Sequence, residues 1–161
     1  MTDNHLQRAP LVDALRKGEF SPYVDELRER ALQGDSPALI ALGSIYFRGG
    51  DGIRKNYSAA AYWFGKVKLE YDVTGFVASH LATIYYKGLG VAEDHQKAAR
   101  YLRSAALHGH GNSMVMLAIL QKKGDGTLKK PRSAKTIFRS SACDSNLNIG
   151  MRLLALLWLC S

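Results

Sequence analysis

Two cysteines, Cys143 and Cys160, are all that this chain of 161 residues contains. They lack the paired spacing of a disulfide-stapled domain, so both are expected to be buried or semi-buried free thiols. No apolar run is long enough to span a membrane: the strongest, in NIGMRLLALLWLCS, falls short of the roughly 20 residues required. The opening MTDNHLQRAP has no apolar signal core, which points to a cytoplasmic protein. Metal-ligand clusters are missing too. His108-x-His110 is the only close His pair, and no carboxylate or cysteine stands at ligand spacing around it. Cys143 has no activating partner nearby, and no residue set calls for catalysis, a metal or a cofactor, so the chain is not expected to be an enzyme. Acids are scarce, with 14 Asp and Glu against 22 Lys and Arg, a formal net charge of +8. Disorder is excluded by a hydrophobic content of 47%, and the length suits one domain.

What the chain does have is internal repetition. YYKGLGVAEDHQKAARYLRSAALHG begins at Tyr85, and related stretches begin at Tyr46 and Gln121. Leu42, Leu81 and Leu117 are 39 and 36 residues apart, and Leu153 follows after a further 36. Gly49, Gly88 and Gly124 keep these intervals, as do Ala60, Ala98 and Ala134, and then Phe64, Leu102 and Phe138. Gly52, Gly90 and Gly126 follow with one extra residue in the first turn. A fixed period of this size marks an array of repeated units, each too small to bury its own apolar face. The Gly-x-Gly is therefore read as a turn between helices rather than a phosphate loop, because no strand precedes it. Asp51 and Asp125 occupy equivalent turn positions, which Asp tolerates.

Within one unit, ALIALGSIYF places Ala38, Leu42, Ile45 and Tyr46 on one helical stripe. YSAAAYWFGKV gives a second helix with Ala60, Trp63, Phe64 and Val67 on its apolar side. Small residues at Gly43, Ala82 and Ala118, and at Ala60, Ala98 and Ala134, allow the two backbones to approach closely. The best copy, with Leu81, Tyr85, Gly88, Gly90, Val91, Asp94, Ala98, Tyr101, Ala105, Ala106 and Gly109, resembles the Sel-one-like repeat, a relative of the tetratricopeptide repeats. The first copy widens the turn to RGGDGI. The third is degraded, with Gln121, Thr127 and Lys130 where the pattern has Tyr, Val and Asp. The resemblance implies an all-α fold, a right-handed α-α superhelix or solenoid of antiparallel helix pairs. Three repeats are expected over 35–144, a decayed one with a shortened loop over 1–34, and a half-repeat helix over 145–161. Ser21-Pro22 reads as a helix start.

Seven basic residues lie between Lys122 and Arg139 (Lys122, Lys123, Lys129, Lys130, Arg132, Lys135, Arg139) with one acid, Asp125. Such a stretch can be a solvated loop face, or can grip phosphates or an acidic protein. Its one aromatic, Phe138, sits in core phase, so no stacking platform for bases is present, and an acidic protein partner ranks above nucleic acid. Carried over by position, the resemblance puts a protein-binding concave groove on the first helices. Ile40, Ser44, Phe47 and Arg48 would line it, then Ser79, Thr83, Tyr86 and Lys87, then Val115, Ile119, Lys122 and Lys123. Ile40, Phe47 and Val115 read equally as core if the phase is shifted. In the last helix, Leu153, Leu156 and Leu157 are expected to pack inward. That leaves Leu154, Trp158 and Leu159 as an interface for a second copy or a partner, unless Trp158 folds over the end of the core. By family analogy, the first expectation is a bacterial immunity protein that neutralises a cognate toxin, and the alternative is a regulatory or scaffolding adaptor.

Overall fold

The computed structural model describes residues 23–50, 52–142, 147 and 149–159. Eight α-helices lie among them: α1 Val24–Leu32, α2 Ser36–Arg48, α3 Tyr57–Gly65, α4 Phe76–Tyr86, α5 His95–Leu107, α6 Gly111–Lys123, α7 Pro131–Ala142 and α8 Ile149–Leu159. The described β-type pairing is an isolated bridge between Gly50 and Ile53, in the widened first turn. The chain divides into two units, 1–68 and 69–161. In the first, α2 packs against α1 and α3; in the second, each of α4 to α8 packs against its neighbours in sequence, and α6 also touches α8. The decayed first repeat up to residue 22, with Ser21 and Pro22, and also Asp51 and both cysteines lie outside the described residues.

The repeat positions are the core positions. Leu42, Leu81 and Leu117 are buried, as are Ala60, Ala98 and Ala134, and Phe64, Leu102 and Phe138. The small residues act as expected where α2 meets α3: a Cβ at Gly43 would stand 2.5 Å from the Phe64 ring. A fully buried Phe64 thus requires hydrogen alone at position 43. Gly88 and Gly90 have φ of 60° and 65°, the left-handed region that glycine enters without strain. The Leu89 N–H then returns to the Ile84 carbonyl (2.9 Å) and the Asp94 N–H to the Tyr85 carbonyl (2.9 Å).

Asp94 begins the second helix of its pair. Its Oδ1 accepts the Lys97 N–H at 2.8 Å, an N-cap that satisfies one orphan donor. Asn56 does the same for α3 by accepting from the Ala59 N–H at 2.9 Å. The third repeat has Lys130 at this position, with no acceptor to offer, and Pro131 starts the helix instead. A second decayed position, Gln121, is buried with its Oε1 unpartnered, where the other copies carry Tyr46 and Tyr85. Lys130→Asp is therefore expected to raise stability by about 0.5–1 kcal/mol, read as a shift in denaturation midpoint without change in slope.

The last helix corrects the sequence reading. Leu153, Leu156 and Leu157, expected inside, are 55%, 46% and 68% exposed. Leu154, Trp158 and Leu159, expected as an interface, pack instead on the cluster of Val115, Ala118, Ile119, Ala134, Phe138, Leu147 and Ala155. The Trp158 ring stacks on Phe138 at 6.2 Å. The difference lies in the pairing. Leu153 and Leu156 are equivalent to Leu117 and Leu120, which pack on Ala82, Ala99 and Leu102 of the preceding pair, whereas α8 turns Leu154, Trp158 and Leu159 toward the preceding pair instead.

Candidate protein-binding surface

The first-helix residues named from the sequence separate into three groups. Arg48 and Lys87 are exposed, and Ile40, Phe47 and Tyr86 are half-buried. Phe47 meets Tyr57 edge-on at 5.3 Å, and Tyr86 stacks on His95 at 4.7 Å. Ser44, Ser79 and Thr83 turn their hydroxyls to the carbonyls of Ile40, Phe76 and Ser79 on their own helices (2.8, 2.7 and 3.0 Å). This satisfies their donors locally.

The third repeat departs from the expected groove. Val115 is fully buried and Ile119 is 7% exposed, both in the cluster that receives α8, so neither is available to a partner. The signal was present in the sequence, since these positions are apolar where the second repeat has Ser79 and Thr83. Lys122 donates to the Trp158 carbonyl at 3.2 Å and lies 4.9 Å from the centre of its ring. Lys123 approaches the same ring at 5.6 Å. These two cations latch α8 onto α6 through cation–π contacts.

Beyond that latch the basic stretch is open. Lys129, Lys130, Arg132, Lys135 and Arg139 are all exposed and form no ion pair among the described residues. The imbalance is local: residues 69–161 hold twelve Lys and Arg against six Asp and Glu. Four of those six acids are committed inside the fold. Asp72 is buried and accepts the Ala78 N–H at 2.8 Å, and Asp94 caps α5. Glu93 and Asp125 both bind His95.

The His95 cluster joins residues 30 apart in sequence and was missed in the turn reading of Asp125. Nδ1 pairs with the Asp125 carboxylate, and Nε2 lies 2.6 Å from Glu93. The hydrogen bond to Asp125, helped by the charges of Asp125 and Glu93, holds His95 above its ordinary value of 6.5 against a smaller opposing effect of burial. A group whose pKa rises on folding stabilises fully below its unfolded value and ceases to do so as pH passes its folded value. Stability is thus expected to fall as pH rises above about 6.5, the unperturbed imidazole value. Asp125→Asn should flatten that decline, as measured by melting temperature against pH. His110, singled out beside His108, serves as the N-cap of α6, with Nδ1 facing the Ser113 N–H at 3.3 Å and hydroxyl at 2.8 Å.

Among the described residues no helix is long and apolar enough to cross a membrane. The Sel1 repeat profile matches residues 36–66, 78–110 and 111–146. A plant relative, the ERAD-associated E3 ubiquitin-protein ligase component HRD3B of Arabidopsis thaliana, is 34% identical over 125 residues, covering 76% of this chain and 19% of that protein. Of the solved structures, a Sel1 repeat protein from Oxalobacter formigenes matches with a TM-score of 0.68 at 25% identity, over 84% of this chain and 52% of that one. A protective antigen of uropathogenic Escherichia coli strains displaying an SLR fold matches with a TM-score of 0.67 at 26% identity, over 84% of this chain and 32% of that one. The chain thus spans about a fifth of the plant relative and no more than about half of either structural neighbour. Sel1 repeats are protein–protein interaction modules. With its leucine, alanine and glycine positions buried or turned in register through all three matched segments, the chain belongs to the Sel1 repeat family and has its all-α, solenoid-class fold.

Proposed function

We propose that this chain is a non-catalytic adaptor that holds an acidic surface of a protein partner. The carrying observation is the uncompensated charge of residues 69–161. Four of their six acids are tied to backbone amides or to His95, while Lys129, Lys130, Arg132, Lys135 and Arg139 face solvent without ion pairs among the described residues. Cations so placed steer and select a partner of opposite charge. The exposed first-helix residues Arg48 and Lys87, with the half-buried rings of Phe47 and Tyr86 beside them, are further contact candidates in their respective units. The plant relative, a component of a ubiquitin ligase, supports an adaptor role. Neither it nor the structural neighbours, as described, speaks for neutralisation of a toxin.

The test is affinity capture from the native host at physiological salt, with and without nuclease. The expected result is a protein retained after nuclease treatment and lost when Arg132, Lys135 and Arg139 are changed together to Glu. These side chains are exposed, so the variant should keep its helical signal. Capture that disappears with nuclease, or that survives the charge reversal, would overturn the reading.

A further inference from the structure

A cleft of about 200 Å³ opens between α5 and the loop that precedes α7. The α5 wall is Gln96, Ala99, Arg100 and Arg103, and the loop wall includes Thr127 and Leu128. The wall on the helix follows from its periodicity. Ala98, Ala99, Leu102 and Ala105 are buried, which turns Gln96, Arg100, Arg103 and Leu107 outward at spacings of four, three and four, one continuous stripe. Arg100 and Arg103 therefore stand one turn apart on the exposed face. Neither makes an ion pair or a hydrogen bond among the described residues. Two guanidiniums side by side without an acid between them repel each other. The pair gains from a ligand that brings negative charge.

The opposite wall is held in place. The Asp125 N–H returns to the Leu120 carbonyl at 3.0 Å, the Lys130 N–H to the Gln121 carbonyl at 2.8 Å, and the Asp125 side chain grips His95 at the start of α5. The cleft is thus fixed at both ends before any ligand arrives, which reduces the ordering cost of binding. Large apolar side chains flank the two cations: Leu128 is 77% exposed on the loop and Leu107 is 82% exposed at the end of the stripe.

We infer that this cleft binds an acidic-apolar segment of a protein partner, its carboxylates on Arg100 and Arg103 and its apolar side chains on Leu128 and Leu107. The inference deepens the adaptor reading and rests on it. Arginine suits this role because its planar fork takes a carboxylate through two parallel hydrogen bonds. A nucleic-acid strand would satisfy the charge alone. The cleft is lined by no aromatic ring on which a base could stack, and a sugar-phosphate backbone has nothing to bury against two exposed leucines. The site lies on the second helix of its pair, away from the first-helix face that the resemblance implied.

Fluorescence anisotropy at physiological salt tests the inference with three labelled probes: a short peptide of Glu-Glu-Leu-Leu blocks, the same peptide with Gln for Glu, and an oligothymidine of equal length. The Glu peptide should bind, and the Gln peptide and oligonucleotide should not. Arg100→Ala with Arg103→Ala should weaken the Glu peptide at least about tenfold, the scale of a lost charge-assisted contact. Leu128→Ser should weaken it less, and Lys135→Ala with Arg139→Ala should change it little. All of these side chains are exposed, so circular dichroism should be unaltered in each variant. Binding that survives loss of Arg100 and Arg103 but fails without Lys135 and Arg139 would overturn this site and leave the adaptor reading standing. No binding of the Glu peptide to any form would overturn this site alone, and tighter retention of oligothymidine would overturn both.

Discussion

Phe138→Ala is expected to lower stability by about 3–5 kcal/mol, whereas Leu157→Lys should change it by less than about 0.5 kcal/mol. Both residues are large and apolar, and the contrast between them rests on which face α8 turns inward. Phe138 is 1% exposed and sits among Val115, Ala134, Leu147 and Ala155, with the Trp158 ring stacked over it. Its truncation leaves a cavity that rigid neighbours on three helices cannot fill. Leu157 is 68% exposed, so a lysine there meets water. Leu154→Lys is the sharper comparison. It lies on the inward face of α8, and an ammonium there would lose its hydration against the same cluster. Urea denaturation followed by circular dichroism orders the variants. If Leu157→Lys proved as damaging as Phe138→Ala, the inward face of α8 would be wrong.

The repeat was legible because its evidence is redundant. Leu42, Leu81 and Leu117 confirm one another at a fixed period, and each is buried. The glycine turns and the spacing from Ala to Phe or Leu in the second helices repeat the same message. The terminal helix carries no such check. In IGMRLLALLWL nearly every position is apolar, so hydrophobic pattern cannot tell one face from another. Phase alone pointed Leu153 inward, back onto the third pair, as the equivalent Leu117 packs onto the pair before it. What decided the orientation was a neighbour: Phe138, with Lys122 and Lys123, gives Trp158 a ring to stack on and cations to sit beneath.

The candidate surface was legible as charge but not as geometry. The basic stretch could be counted, and Phe138 inside it could be assigned to the core. That its cations lack acidic partners could not be read, because it depends on what Asp94, Asp125 and Glu93 hold. The link from His95 to Asp125 crosses from one repeat to the next, and local turn chemistry had already accounted for Asp125. Arg100 and Arg103 were passed over for a similar reason. On α5 alone they are two exposed cations on a solvated face, and they acquire a cleft only when the next turn packs against them.

That packing depends on one hydrogen atom. Gly126 has φ of 62°, and a Cβ built there would lie 2.2 Å from the His95 carbonyl oxygen and 2.8 Å from the Gln96 nitrogen. Both are backbone atoms at the start of α5, fixed by the helix and by the Asp94 cap, so they cannot swing aside. Gly126→Ala therefore combines two penalties: about 1–2 kcal/mol for an L-residue in the left-handed region, and about 1–3 kcal/mol for the forced displacement of a packed loop. Gly109 separates them. Its φ is 76°, but a Cβ there meets nothing within 4 Å, so Gly109→Ala should carry the first penalty alone. The expected losses are about 2–5 kcal/mol at Gly126 and about 1–2 kcal/mol at Gly109. The displaced loop should also release Asp125 from His95, so that the Gly126 variant loses the decline of stability above about pH 6.5 that the folded ion pair produces. The Gly109 variant should keep it. Equal losses in the two variants, with the pH dependence intact in both, would mean that the loop can retreat from α5 without cost, and that the cleft wall is not held where the structure places it.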